Sequence, residues 1–212
     1  MKEDTNERFP ERSVLWMSGA LIGFSILLSP FSSAQNTFNG RFNKIIEQFE
    51  QGQAALVGDH WQLNDLEHNP FQVDEFEAFL NEIEADDASR PRLTPVVRIP
   101  YEAHQDYHHY VKQMLDAGAM GIVLPQVKTV ADVTKLVRAM RYPPQRGTEN
   151  NEPKGLRGWG PSAAIRVWNT DSKTYASRAD VWPLNPEGEL LAIAMVETRE
   201  IVENIDAILQ VP

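Results

Sequence analysis

Residues 115–133, Leu-Asp-Ala-Gly-Ala-Met-Gly-Ile-Val-Leu-Pro-Gln-Val-Lys-Thr-Val-Ala-Asp-Val, decide the fold class. The stretch opens on the end of a helix that the pattern predicts over Tyr107–Ala117 and that Gly118 closes. Gly121–Val127 then reads as a strand, and Val130–Met140 as the next helix. The strand is a continuous apolar run rather than an alternating one. That suits a parallel strand covered on both faces. Helix, strand and helix follow one another over links of two or three residues, which is the grammar of right-handed βαβ units.

The same alternation extends outward. Upstream, Phe38–Gln51 carries Phe42, Ile45, Ile46 and Phe49 at helical spacing and stops at Gly52. Ala54–Asn64 holds one or two short strands, Val73–Ile83 an amphipathic helix, and Leu93–Ile99 a strand. Downstream, Arg141 to about Gly188 reads as a long polar loop. Leu190–Val196 is a strand and Glu200–Leu209 the last helix. Such a chain is either a doubly wound sheet or a (β/α) barrel. No glycine-rich phosphate motif follows any strand, which weakens a nucleotide-binding doubly wound reading.

Composition removes several functions. The 212 residues are 42% hydrophobic and 24% charged, ordinary for a globular chain with a core. The net charge of -10 leaves no basic stripe for nucleic acid. With no cysteine, disulfides, thiolate catalysis and zinc–cysteine sites are out, so a metal would need oxygen or imidazole ligands. Residues 1–34 read separately. Val14–Leu28 is an uncharged, mostly apolar run shorter than a membrane span, followed by Pro30 and the small residues Ser32-Ser33-Ala34. This is the layout of an export signal cleaved before Gln35, with a membrane anchor as its rival, although the leader before it is acidic. The expected organisation is therefore 1–34 as signal or anchor and 35–212 as the folded domain, giving an exported protein, or a cytoplasmic or anchored one if the signal is not used.

In both architectures function sits at the carboxyl ends of the strands. Those ends carry Asp65, Glu67 and His68 in the stretch DLEHNPF (65–71), then Arg98, then Pro125 and Gln126, then Glu197 and Thr198. Asp65 beside His68 suits a general-base pair, a carboxylate orienting an imidazole. Arg98 suits an anion or a developing enolate, and Glu197 suits a hard divalent ion. Each acidic residue also has an ordinary reading as a helix cap. An arginine inside an apolar strand is harder to explain away, because burying it unpaired costs several kcal/mol. His104, His108 and His109 form a rival cluster, best read as a solvated helix start.

From about Gly52 onward the chain resembles the HpcH/HpaI aldolases, metal-dependent class II pyruvate aldolases built on a TIM barrel. The matching blocks are DLEHNPF (65–71), PVVRIP (95–100), LDAGAMGIVLPQVKTVADV (115–133), AMRYPPQRG (139–147), GLRGWG (155–160) and MVETREIVENIDAIL (195–209). The resemblance implies a partial (β/α)8 TIM barrel lacking its last strands. It implies reversible cleavage of a 4-hydroxy-2-oxo acid to pyruvate and an aldehyde, and a homo-oligomer. His68 oriented by Asp65 would move protons, Arg98 would hold the pyruvate oxygen, and Glu197 would bind Mg2+ or Mn2+. Arg157 and Gly158 of GLRGWG would shape the mouth and contact the second substrate. Against the family pattern, Met195 replaces a glutamine, and a GPxDL-type block bearing a second metal ligand would follow Pro212. The alternative is a non-catalytic, shortened aldolase-like protein that acts only as a binding or oligomer partner. A citrate-lyase-like reaction on a coenzyme A ester ranks below both.

Overall fold

The computed structural model describes residues 38–69, 73–83, 89–144 and 152–211. The expected export segment lies outside them, and no helix among the described residues is long and apolar enough to cross a membrane. Four strands form one parallel sheet: β1 (Trp61–Asp65), β2 (Thr94–Arg98), β3 (Gly121–Leu124) and β4 (Leu191–Ala194). Their spatial order is their order in the chain, β1-β2-β3-β4. A sheet that adds each new strand on the same side is a segment of a (β/α) barrel. A doubly wound sheet would reverse direction at a switch point.

Register sorts the side chains onto two faces. Val97, Ile122 and Leu124 point to the face covered by α3 (His108–Ala117) and α4 (Val130–Met140), where Val111, Met114, Leu115, Leu136 and Met140 complete the main core. Trp61, Leu63, Val96, Val123, Leu191 and Ile193 point the other way and gather with Ile45 and Ile46 of α1 (Lys44–Glu50). Asp65 pairs with Arg98, and Arg98 with Val123, so the first two belong to this second face, at its carboxyl end.

Local chemistry sets the element ends. Thr129 and Asp132 form a reciprocal capping box that starts α4. Gly118 closes α3 at φ 132°, and a Cβ there would lie 2.8 Å from Val167. Several boundaries differ from expectation. The helix predicted from Phe38 begins only at Lys44, because the Asn43 side chain accepts from Ile45 N and Ile46 N and fixes the start there. The strand predicted to Val127 ends at Leu124, because Gln126 turns into the left-handed region at φ 56°. The last helix divides at Asn204 into α7 (Arg199–Glu203) and α8 (Ile205–Ile208). The stretch read as one polar loop holds two helices, α5 (Ser162–Val167) and α6 (Ser172–Arg178). Asp171 starts α6 by accepting from Lys173 N at 2.8 Å and Thr174 N at 2.9 Å. The helix α2 (Val73–Glu82) follows the predicted span and buries Phe76 and Leu80.

At the amino-terminal edge of the sheet, Glu189 is fully buried. It accepts from Asn43 N at 2.8 Å, contacts Arg178, and lies 3.7 Å from Arg41 Nη1. The Asn43 amide donates to Glu189 O at 3.0 Å, and Lys44 N donates to Thr94 Oγ1 at 2.8 Å. These bonds bring α1 across the lower end of the second face, away from the carboxyl ends of the strands.

Candidate active site

The carboxyl ends of all four strands contribute to one rim. From β1 comes a folded loop. Asp65 Oδ1 accepts from Glu67 N at 3.1 Å, Asp65 O accepts from Asn69 Nδ2 at 2.9 Å, and Leu66 N continues the ladder by donating to Arg98 O at 2.9 Å. This is an Asx-type turn, a local alternative to further strand. Its effect is to bring Glu67 and His68 over β2 rather than away from it.

Arg98 is the centre. Its Nε donates to Asp65 Oδ1 at 2.8 Å and its Nη2 to Asp65 Oδ2 at 2.5 Å, a two-pronged fork. Its third nitrogen, Nη1, lies 3.0 Å from Glu67 Oε2 and 3.9 Å from Met195 Sδ, just past β4. The fork holds the Asp65 carboxyl below the usual carboxylate range, against the opposing effect of burial. Asp65 in turn raises the Arg98 pKa, with Glu67 and Glu197 adding to the effect. Asp65 and Arg98 therefore stay ionised at neutral pH.

His68 is 69% exposed, and its Nε2 lies 3.5 Å from Glu67 Oε2. No hydrogen bond joins the expected Asp65–His68 couple among the described residues: Arg98 takes the Asp65 carboxylate and the imidazole lies beside Glu67, although His68 still acts on Asp65 electrostatically. On the other side of the rim, Gln126 N donates to Glu197 Oε1 at 2.6 Å. The left-handed turn at Gln126 aims that amide, and backbone held in this region costs about 1–3 kcal/mol, a pattern common at functional sites. Thr198 Oγ1 donates to Val127 O at 2.9 Å and starts α7, fixing Glu197 from behind. A cavity of about 280 Å³ opens beside Asp65 between β1 and α2, lined in part by Leu63, Asn64, Leu66 and Phe76.

Two expected contacts lie elsewhere. Arg157 is 1% exposed. Its Nη2 donates to Asp116 Oδ1 at 2.8 Å and to Tyr175 Oη at 2.7 Å, and the guanidinium stacks 4.5 Å from the Tyr142 ring. Asp116 sits at the end of α3 that leads into β3, opposite the rim. Arg157 is therefore a packing group at the other end of the layer. Gly158 is exposed, and a Cβ there would lie 3.8 Å from Lys112 on α3, so the GLRGWG loop runs along that helix. The histidine cluster also disperses. His104 pairs with Glu102, His108 Nε2 lies 3.1 Å from Leu156 O, and His109 packs edge-on to Tyr101.

Residues 48–212 match the sequence pattern of the HpcH/HpaI aldolase/citrate lyase family. The chain belongs to that family. Over 158 residues it is 34% identical to a 2-keto-3-deoxy-L-rhamnonate aldolase of Klebsiella pneumoniae, covering 74% of this chain and 50% of the relative. A hydroxypyruvate/pyruvate aldolase of Roseovarius nubinhibens is 31% identical over 157 residues, 74% of this chain and 51% of the relative. The chain thus spans about half the length of the curated relatives it matches. Among solved structures, an HpcH/HpaI aldolase/citrate lyase family protein of Burkholderia cenocepacia superposes with a TM-score of 0.55 at 27% identity, covering 73% of this chain and 52% of that one. The HpcH/HpaI aldolase of Desulfitobacterium hafniense superposes with a TM-score of 0.51 at 24% identity, a likeness of fold. The parallel sheet is accordingly a partial HpcH/HpaI barrel.

Glu67 and Gln126 stand out only in the structure. Both are visible at strand ends in the sequence, but a glutamate before a helix reads as a cap, and a glutamine after Pro125 gives no sign of a left-handed turn.

Proposed function

We propose that this protein is a pyruvate aldolase, reversibly cleaving a 4-hydroxy-2-oxo acid to pyruvate and an aldehyde. The observation that carries the reading is Arg98. It is a charged guanidinium at a strand end, forked by Asp65 on one side, with Nη1 facing, among the described residues, a carboxylate without hydrogen-bond alignment and a thioether. A 2-oxo acid oxygen is a far better acceptor than the Met195 sulfur. Arg98 would receive it, and its charge would steady the enolate as the C3–C4 bond breaks. His68, exposed to water, would take the 4-hydroxyl proton in cleavage and return a proton to C3 of the enolate after the aldehyde leaves. Breaking one C–C bond yields the enolate and the aldehyde carbonyl, so no oxidant or reductant is needed.

A divalent ion, Mg2+ or Mn2+, belongs to the expectation for this chemistry, as a Lewis acid on the ketone. Glu197 would be its ligand. One Glu197 oxygen already accepts from Gln126 N, and no group of three His, Asp or Glu side chains among the described residues could hold a metal ion. Hard ions need more oxygen ligands than this. The described residues therefore do not make a metal site by themselves. The expected homo-oligomer belongs to the same reading: the outer edges of β1 and β4 have no strand partner among the described residues.

The lack of a group of three metal-ligating side chains among the described residues is also what favours the second reading, a protein that binds without turnover. One experiment separates the two. The purified protein with Mn2+ or Mg2+ should exchange the methyl protons of pyruvate in deuterated water, and His68→Ala or Arg98→Ala should slow this by about 10²-fold or more. Binding without exchange would favour the second reading. Neither binding nor exchange in the wild-type chain would defeat the aldolase reading.

A further inference from the structure

We infer that Glu67 is the positioning residue that couples Arg98 to His68, one carboxylate oxygen holding both at once. The role assigned to those two groups rests on the aldolase reading above; the coupling itself does not. Glu67 Oε2 lies 3.0 Å from Arg98 Nη1 and 3.5 Å from His68 Nε2. The oxygen is buried and has no aligned hydrogen bond, although its side chain is 20% exposed. A cap would place its carboxylate on backbone amides of the next helix. This one sits instead between two side chains that come from two different strand ends.

The loop chemistry explains how it gets there. Asp65 does two things: its carboxylate forks Arg98 from one side, and the same Oδ1 accepts from Glu67 N, folding the chain back. Glu67 is thereby carried to the one guanidinium nitrogen that the fork leaves over. Asp65 and Glu67 then flank Arg98 on two sides, which limits its rotation about its stem and favours one direction for its outward N–H groups. The group that receives the substrate oxygen and the group that moves the proton are set at a fixed separation by a single shared atom. Long side chains otherwise lose this geometry to rotamer freedom, and small misplacement is costly in rate. The unaligned geometry also matters. A carboxylate already saturated by amides would have nothing left for the imidazole.

The test uses the full chain and three substitutions. Glu67→Gln keeps the shape and removes the charge, Glu67→Ala removes both, and Glu67→Asp keeps the charge on a shorter stem. Side-chain 15N NMR reads the coupling directly. In Glu67→Gln both the His68 ring and the Arg98 guanidinium signals should move, while the backbone spectrum keeps its dispersion. Pyruvate methyl exchange reads the consequence. kcat should fall by about 10- to 100-fold in the Gln and Ala variants, with KM changed less than threefold, and Glu67→Asp should recover a good part of it. If neither side-chain signal moves in Glu67→Gln, the coupling is wrong whatever the activity. If the wild type exchanges methyl protons and Glu67→Gln keeps its kcat within twofold, the positioning role is wrong and the aldolase reading stands. If the wild type exchanges nothing and binds no pyruvate, that reading fails, and the NMR result alone then decides the coupling.

Discussion

The two ends of the sheet are built from the same materials and finished differently. At the amino-terminal edge, Glu189 is fully buried against Arg178 and Arg41, with the Asn43 amide bonded to it. At the carboxyl edge, Asp65 and Glu67 face Arg98 with side chains 17–23% exposed, one oxygen unaligned and a thioether as neighbour. The first cluster has turned its polar capacity inward to hold α1 to the sheet. The second leaves its side chains partly open to water, beside one carboxylate oxygen with no aligned hydrogen bond. An ion pair alone therefore says little about function. Both clusters leave one buried polar atom without a hydrogen-bond partner among the described residues, Arg178 Nε below and Glu67 Oε2 above, so what separates the two ends is how far their side chains reach solvent.

Breaking the lower cluster should have the largest effect on stability. Glu189→Ala leaves Arg178 and Arg41 without their shared anion and the Asn43 amide without an acceptor. Removing one partner of a buried pair costs about 3–5 kcal/mol, which corresponds to a melting temperature lower by about 10 °C for a chain of this size. Urea unfolding checks it. Arg98→Ala should cost less, about 1–2 kcal/mol in the same assay, because Asp65 and Glu67 keep partial contact with water and only Glu67 Oε2 is a buried atom left without the guanidinium. Equal losses at the two ends would erase the distinction.

How far the sequence disclosed these two clusters differs for physical reasons. The layer was legible because continuous apolar strands and 3.6-residue helix stripes are local patterns, and Val130–Met140 was predicted to the residue. That Asp65, Arg98 and Glu197 share one rim was legible because each stands at or just past the carboxyl end of a strand. The pairing among them was not. Asp65 meets Arg98 across a β1–β2 register, and nothing in DLEH says that its aspartate will fork an arginine 33 residues away. Arg157 was misplaced because a glycine-rich loop reads as a mouth, whereas here its arginine is drawn under α3 by Asp116 and Tyr175. The two short helices inside the polar stretch carry too little periodicity to register; only the Asp171 cap marks one of them.

A smaller effect sharpens the upper end. Gln126 holds φ 56°, where a β-branched side chain is strained, and its amide holds Glu197. Gln126→Gly should match or slightly exceed the wild-type stability, and Gln126→Val should lose about 1–2 kcal/mol. Thermal melts distinguish the two. If valine is tolerated as well as glycine, the turn is not what fixes Glu197.

The smallest effect is in the pH dependence, where the two ends should act with opposite sign. The Arg98 fork lowers the Asp65 pKa in the folded state. Unfolded, the group titrates near ~3.9, so below that value the unfolded chain binds the proton first. Asp65 thus adds stability that is complete above about pH 4 and is lost as pH falls toward its folded value. Burial pushes the Glu189 carboxyl up, with the Asn43 amide and Arg178 opposing. Its unfolded value is near ~4.3, so above that pH the folded chain holds the proton longer than the unfolded one. Glu189 thus favours folding on its acid side, and that contribution fades as pH rises through the folded value. The windows adjoin without overlapping. Urea midpoints from pH 3 to pH 7 should show a shallower acid loss in Asp65→Asn and a smaller decline above about pH 4.3 in Glu189→Gln, each variant altered only in its own window. Asp65→Asn with the wild-type acid slope would mean that the fork to Arg98 does not persist in solution, and with it would go the contrast between a partly exposed rim and a buried floor.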